Sequence, residues 1–338
     1  MDAALYDPSD GFFTRGRGPA GRGDFVTSPE TGPLFGVLVA RSLDREWIRL
    51  GRPDRFTVVE AGAGDGRLAR EILRAGPACG AALELLLVER SPAARAAQRE
   101  RLPAGAPVRS LEDLPAGPIV GVVLANELLD NLLFGVAEAT AGGWAEVRVG
   151  FEGGRVVEVL DDPTPADLRL LPPAGLMPVG TRLPIVRAAV EWIGRAADLL
   201  DAGSLLLIDY AAPAATLAAR GGWLRTYSGH RRGTDPYTAP GSQDITTDVP
   251  LEPVRAALAA AGLELVGEST QAEWVTGLGI GDLVEAGRRI WAAGAARGDL
   301  EAIAGRSRAV EASVLTDPDG LGGFVVLEAR RRHSGSDG

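Results

Sequence analysis

The sequence predicts an α/β fold, a doubly wound and mostly parallel sheet with helices on both faces. Three observations predict it. Short, continuous apolar runs recur along the chain, as strands covered on both faces require. Helical stretches with recognisable start and stop signals alternate with them. The 338 residues, 46% of them hydrophobic, suffice for one large domain or two smaller ones with a sizeable core.

The elements follow in order. Residues 1–36 are rich in Gly, Pro, Asp and Phe and read as an ordered loop region, a candidate lid. Ser28-Pro29-Glu30 signals a helix over about Leu34 to Leu50, stopped by Gly51 and Pro53. Phe56 to Glu60 is a strand, Gly62, Gly64 and Gly66 a turn, and Arg67 to Ala75 a helix. Leu83 to Glu89 is a second buried strand, after which Ser91 and Pro92 open a helix as cap and first helical residue. Val108 to Leu111, Ile119 to Leu124 and Leu205 to Asp209 read as three further strands, with a helix expected around Leu128. Between the last two, Trp144 to Phe151 and Arg155 to Leu160 alternate around Glu152-Gly153-Gly154, a β-hairpin pattern. A Pro-rich stretch leads to a helix ending near Leu200. Gly221 to Pro250 reads as irregular, and a segment of that length is expected to be functional or disordered. A helix (Pro253 to Ala261), a strand (Leu263 to Gly267), helices to Leu315 and a strand at Phe324 to Glu328 complete the pattern. The expected division is an N-terminal lid and helix over 1–50, a sheet domain over 51–330 with insertions at about 137–200 and 211–250, and a disordered tail over 331–338.

Composition removes whole chemistries. No lysine occurs, so a phosphate-binding P-loop, a Schiff base and a kinase-type strand lysine are all excluded. One Cys excludes an internal disulfide framework, and with two His it excludes a conventional His/Cys zinc site. No metal is expected. A net charge of −10 speaks against a general nucleic-acid binder. No apolar run approaches the roughly 18–20 residues of a membrane helix, and the first residues lack the basic and apolar regions of a signal peptide. A soluble, cytoplasmic protein is the expectation.

The informative motif is Val58-Val59-Glu60-Ala61-Gly62-Ala63-Gly64-Asp65-Gly66. Glycines at a strand-to-helix turn let backbone approach a ligand closely. The spacing is G-x-G-x-G, whereas the dinucleotide fingerprint is G-x-G-x-x-G, which disfavours a nicotinamide oxidoreductase. Glu60, two positions before the first glycine, would repel a pyrophosphate but suits a ligand with an ammonium group. Glu89 ends the next strand, where a carboxylate can take a ribose diol.

The two acids and the turn resemble the class I S-adenosylmethionine-dependent methyltransferases. The resemblance implies that sheet, mostly parallel with an antiparallel last strand and with insertions. It implies S-adenosyl-L-methionine as cofactor, held by Glu60, Gly62, Gly64, Gly66 and Glu89, with Leu111, Glu112 and Asp113 as adenine contacts and Asn126 also at the cofactor. Further blocks narrow it: Leu5-Tyr6-Asp7-Pro8, Gly23-Asp24-Phe25-Val26-Thr27-Ser28-Pro29-Glu30, Ala125-Asn126-Glu127-Leu128-Leu129-Asp130, Leu207-Ile208-Asp209-Tyr210, Tyr227-Ser228-Gly229-His230, Gln243-Asp244-Ile245-Thr246 and Gln271-Ala272-Glu273-Trp274. In series they resemble the MidA-like family, which includes a mitochondrial complex I assembly factor that methylates a protein arginine. The chain departs from that family in three places. It begins almost at the Leu-Tyr-Asp-Pro block, Asn131-Leu132-Leu133-Phe134-Gly135-Val136 replaces the usual Ala-Leu-Pro-Val-His-Gln, and the acidic lead-in is reduced to Gln243-Asp244.

The acceptor implied is a protein arginine, whose side chain is a permanent cation that carboxylates must orient and help deprotonate. Glu127 and Asp130, just past the fourth strand, are candidates, with Asn126 at the reacting centre, Glu30 as a further carboxylate and His230 as a base. Each has a plainer reading. Asn126 and Glu30 could be caps, Asp130 a solvated charge and His230 a structural hydrogen-bonding residue. Asp209 and Tyr210 end the fifth strand and could face the acceptor or the core edge. Trp192, Trp223, Trp274 and Trp291 read as packing residues. Methylation of a small molecule, favoured by the altered residues after Asp130, and a non-catalytic scaffold that keeps the cofactor fold are the competing readings. The partner is thus a protein or small-molecule acceptor, with neither nucleic acid nor membrane expected.

Overall fold

The computed structural model describes residues 1–7, 9–13, 27–228, 231–295 and 299–331. In chain order the elements are α1 (Asp2–Tyr6), α2 (Pro33–Arg49), β1 (Phe56–Ala61), α3 (Arg67–Ala75), β2 (Leu83–Val88), α4 (Pro92–Arg101), β3 (Val108–Leu111), β4 (Ile119–Asn126), β5 (Gly135–Thr140), β6 (Gly143–Glu152), β7 (Arg155–Asp161), α5 (Pro165–Leu168), β8 (Arg182–Ile185), α6 (Arg187–Asp198), β9 (Leu200–Asp209), β10 (Ala211–Ala212), α7 (Ala214–Arg220), β11 (Leu224–Ser228), β12 (Arg231–Gly233), β13 (Asp244–Thr247), β14 (Val249–Pro250), α8 (Leu251–Ala260), β15 (Glu264–Thr270), α9 (Gln271–Gly277), α10 (Ile280–Gly294), α11 (Leu300–Leu315) and β16 (Val325–Arg331). The chain divides into two compact units. One comprises Val26–Asn126, Leu199–Ile208 and Leu265–Gly338, and the other Met1–Phe25, Glu127–Asp198 and Asp209–Glu264.

The first unit is built on a seven-stranded sheet in the order β15-β16-β9-β4-β1-β2-β3, mostly parallel with one antiparallel edge. Strand β1 lies between β2 and β4, with Phe56 opposite Leu83 and Thr57 opposite Gly121, and every residue of it is buried. That explains why its sequence is a continuous apolar run rather than an alternation. Helix α3 is bounded by left-handed glycines, Gly66 at its start and Gly76 at its end. Helix α4 opens as the sequence indicates, with Pro92 in its first turn and the Ser91 hydroxyl accepting the Ala94 N–H at 3.3 Å. Helix α2 runs within a residue of its expected span. Its start is capped from a distance, by Glu311 Oε2 accepting the Leu34 N–H at 2.8 Å.

The fifth strand of the sequence reading starts earlier than its apolar run. β9 begins at Leu200, where it pairs with Ile119, and it carries Gly203 opposite Gly121. These two glycines and Thr57 form a row across β9, β4 and β1 where backbones crowd. A Cβ on Gly121 would overlap the Thr57 carbonyl oxygen, and one on Gly203 the Gly121 carbonyl oxygen. The positive φ of both positions, +154° and +131°, adds to the demand for glycine.

The second unit holds the small sheets. β7-β6-β5-β8 is a four-stranded antiparallel sheet, β12-β11-β13 a three-stranded one, and β10 pairs with β14. The hairpin expected around Gly153-Gly154 is present as β6 and β7, its two loop glycines at φ +56° and +77°, the left-handed pair that a type I′ turn needs. Two expectations are corrected here. The helix expected around Leu128 is a single 3-10 turn, Leu129–Asn131, followed by extended chain. Glu127 takes a left-handed φ of +53°, and the Leu129 N–H is bound to the Asp209 carboxylate instead of entering a helix ladder. Nor is Gly221 to Pro250 irregular. It forms β11, β12 and β13, and β13 pairs with β11 across a connection too long for a local pattern to announce. The core of this unit gathers Trp144, Leu183, Ile185, Leu217 and Trp223, while Leu5 and Phe12 pack with Ile245. Phe134 packs half-buried against both clusters, Val136 against the first and Leu133 against the second, so three of the altered residues after Asp130 border this core.

Gly121→Ala is expected to destabilise the first unit by about 2–4 kcal/mol, because a strand must shift and a strained φ be held. Denaturant unfolding of the variant beside the wild type measures it.

Candidate active site

The chain leaves β1 through a turn made of left-handed residues, Gly62, Gly64 and Gly66 at φ +70°, +52° and +79°. The turn is pinned to the sheet by the N–H groups of Gly62 and Ala63, which both donate to the Val88 carbonyl at 2.9 and 3.1 Å. Nothing stands within 4 Å of where a Gly64 Cβ would be, so the loop faces open space there. Gly66 is different, since its Cβ would lie 3.2 Å from Gln98 Cγ.

Glu60 is the last residue but one of the same strand and is 5% exposed. Its Oε2 is buried and has no hydrogen-bond partner. Burial first, then the negative charge of Asp65, push its carboxyl from 4.5 up to about 8, with the Ala69 N–H pulling the other way and Glu89 adding to the rise. Glu89 lies just beyond β2, half-buried, with both oxygens on backbone: Oε2 accepts the Gly64 N–H at 3.0 Å and Oε1 the Ser91 N–H at 2.8 Å. Thus Glu60, the glycines and Glu89 are brought together in one unit. Leu111 closes β3 opposite Val88. Glu112 is exposed and ion-paired with Arg95 at 3.1 Å, and Arg95 in turn donates to the Glu89 carbonyl at 2.6 Å.

The sequence reading missed Gln98. It is completely buried on α4, donates from Nε2 to the Gly64 carbonyl at 2.7 Å and accepts from the Ser110 hydroxyl at 2.6 Å. One turn further, Arg101 pairs with Asp65. The face of α4 therefore holds the glycine turn at two points. The only local signal was the i, i+3 spacing of two polar residues on a short helix, which does not distinguish a buried bridge from a solvated face.

The acids after β4 belong to the second unit. Asp130 and Asp209 are both 4% exposed. Asp209 accepts the Leu129 N–H at 2.7 Å and the Tyr210 N–H at 2.8 Å. Asp130 accepts from Asn131 Nδ2 at 2.8 Å. Burial raises both carboxyls above the usual range, helped for Asp130 by the charges of Asp209 and Asp244 and for Asp209 by Glu127. The opposing cation is Arg225, which lowers Asp130. It stacks over the Tyr210 ring at 4.6 Å and pairs with Asp248. Asp130 is therefore not a solvated charge, and Glu127 and Asp209 join it in one acidic cluster. Arg225, unremarked in the sequence, and Asp244, noted there only as the remnant of an acidic lead-in, enter this cluster through the β11/β13 pairing.

The remaining candidates fall elsewhere. Asn126 is the last residue of β4, opposite Ile208. Glu30 accepts the Thr27 N–H at 3.0 Å as the acidic member of a capping box. His230, the Gly23-Asp24-Phe25-Val26 block and the 332–338 tail lie outside the described residues. Trp192, Trp223 and Trp274 are buried packing residues, with Trp274 donating to Glu328 at 2.9 Å. Among the described residues no helix is long and apolar enough to cross a membrane.

Comparison with known proteins now decides the class. Residues 38–269 match the family described as "Putative S-adenosyl-L-methionine-dependent methyltransferase". The chain belongs to this MidA-like methyltransferase family. A crystal structure from Burkholderia thailandensis solved with S-adenosyl-homocysteine bound is similar over 98% of this chain and 86% of that one, at 30% identity and a TM-score of 0.82. The Drosophila melanogaster protein named "Protein arginine methyltransferase NDUFAF7 homolog, mitochondrial" is 30% identical over 295 residues, 75% of this chain. The match spans 64% of the fly protein, less than two thirds of its length. The Danio rerio protein of that name is 27% identical over 83% of this chain and 72% of its own. This methyltransferase uses S-adenosyl-L-methionine.

The residues fit that cofactor. A buried carboxylate oxygen without a partner suits an ammonium group, and the open left-handed turn admits a ligand against backbone. An ammonium at Glu60 favours the charged carboxylate, so cofactor binding near pH 7 is expected to release about one proton from the wild type and none from Glu60→Gln. Calorimetry of S-adenosyl-homocysteine binding in buffers of different ionisation heat reads this. The same group sets a stability trend. Its folded pKa lies above its unfolded value, so without ligand it makes stability fall as pH rises from about 4.5 through about 8. Glu60→Gln is expected to gain melting temperature over the wild type at pH 8–9 and little at pH 5.

Proposed function

We propose that the enzyme transfers a methyl group to a guanidinium nitrogen of a protein arginine. The observation that carries this reading is the buried acidic cluster of Asp130 and Asp209 with Glu127, held by a strained left-handed backbone at Glu127. The names of the animal relatives support it. Of the apolar replacements after Asp130, Leu133, Phe134 and Val136 pack against the apolar clusters of their own unit. We keep the cytoplasmic location expected from sequence as part of the proposal, the mitochondrial designation being the relatives' own.

On this reading the chain's residues divide the work. Glu60 takes the cofactor's ammonium group, Glu89 its ribose hydroxyls, and the glycine turn leaves room for both against backbone. Leu111 and Glu112 flank the adenine, and Asn126 stands at the reacting end of β4. When bound, the cofactor supplies an electrophilic methyl group. Glu127 and Asp130 orient the acceptor cation, and the raised Asp130 and Asp209 carboxyls, closer to neutrality than free aspartate, can hold the proton that the guanidinium must lose. Burial of both carboxyls costs least when a cation is present, which favours binding of a charged acceptor over a neutral one.

Glu127→Gln is expected to lower turnover by about a hundredfold while S-adenosyl-homocysteine affinity stays at the wild-type value. Mass spectrometry of host proteins incubated with enzyme and cofactor reads the product. One methylene of added mass on arginine, lost with the variant, supports the proposal. Equal turnover, or methylation of a metabolite alone, overturns it.

A further inference from the structure

The four-stranded sheet β7-β6-β5-β8 has two edges, and they are treated differently. β8 is four residues long and carries Pro184, two devices that keep an edge from pairing with another chain. β7 has neither. It is seven residues, Arg155-Val156-Val157-Glu158-Val159-Leu160-Asp161, in an unbroken register with β6 from Glu152↔Arg155 to Glu146↔Asp161. No bulge, proline or lysine interrupts it. Its apolar side chains are exposed, Val159 at 50% and Leu160 at 48%, and on β6 beside it Val149 and Phe151 are exposed at 62% and 76%. An edge of this kind is ordinarily covered.

The order of residues along β7 says by what. Around Glu158 the strand is complementary to its own reverse. An antiparallel copy centred there sets Arg155 opposite Asp161, Val156 opposite Leu160 and Val157 opposite Val159. Both ends gain opposite charges, and the interior pairs are apolar. The backbone phase agrees. The two-residue turn closes on Glu152 and Arg155 as a hydrogen-bonded pair, which points the N–H and C=O groups of Val156, Glu158 and Leu160 away from β6. Those are the residues that face the copy, and they supply about six new backbone hydrogen bonds. Phe151, opposite Val156 across β6, extends the apolar row towards Leu160 of the second copy. The one like-charge pair, Glu158 against itself, is eased within each chain by Arg182, which also pairs with Glu138. Arg182 holds Glu158 at 2.6 Å and Tyr237 donates to it at 2.9 Å, which keeps its carboxyl below the usual range.

We propose that β7 is a dimerisation strand, pairing antiparallel with β7 of a second copy about a two-fold axis at Glu158 to make one continuous eight-stranded sheet. The contact is isologous and therefore closes at two chains. It does not depend on the acceptor or on the cofactor site.

Analytical ultracentrifugation of the full chain over a wide concentration series tests it. The wild type is expected to run as a concentration-dependent dimer. Arg155→Asp sets two pairs of like charges face to face and is expected to weaken the dimer about tenfold or more. The double variant R155D/D161R exchanges the charges and is expected to restore it. Leu160→Pro removes an outward N–H while sparing the β6 ladder, and is expected to give a monomer that still binds S-adenosyl-homocysteine. A wild type that stays monomeric throughout overturns the proposal. So does a dimer that both Arg155→Asp and Leu160→Pro leave unchanged.

Discussion

The structure of the cofactor half turns on one buried carboxylate. Glu60 sits near the end of the fully buried strand β1 with an oxygen that no protein group satisfies. A fold tolerates such a group only where a ligand completes it or a proton neutralises it. Everything around the position follows from that demand. At Gly64 the left-handed turn leaves open space, while a side chain at Gly66 would meet Gln98. Asp65, ion-paired to Arg101, adds negative field behind it. Ligand binding, protonation and the pH dependence of stability are therefore one linked equilibrium.

The turn is closed by the Gly66 N–H on the Ala63 carbonyl and braced by side chains from elsewhere in the unit. Gln98 and Arg101 reach it from α4, and Glu89 reaches it from the end of β2. The three contacts fix the backbone of a glycine-rich segment that would otherwise carry the most conformational freedom in the chain. A polar, buried bridge such as Ser110–Gln98–Gly64 is rigid only because every group in it is satisfied. The second unit solves a similar problem with charge. Asp130 and Asp209 lie near Arg225, which is itself committed to Asp248 and to the Tyr210 ring.

Much of this was legible in the sequence where the signal was local. The strands β1, β2 and β4 announced themselves by continuous apolar runs, α4 by its Ser-Pro start, and the β6/β7 hairpin by alternation around two glycines. The place of Glu60 and Glu89 could be read for the same reason, since the turn and the strand ends set their spacing. The misreadings have a common cause. Gly203 lies in a strand that its own sequence does not favour, because what it matches is the Gly121 backbone opposite. The helix expected after β4 lost to a carboxylate from β9 that is distant in sequence. The β11/β13 ladder joins segments separated by a long connection, and period-2 patterning is weak when each strand is only a few residues.

The sequence by itself determined the sheet, the glycine turn with its two acids, and through them the family and the cofactor. These depend on neighbours within one turn or strand, where residue type and spacing are the physics. The tertiary structure alone decided which charges share a buried site. Gln98 under the turn, Arg225 beside Asp130, and Asp209 holding Leu129 are all products of long-range packing. Burial turns these side chains from solvated charges into perturbed ones, and burial is a property of the folded chain that no local pattern encodes.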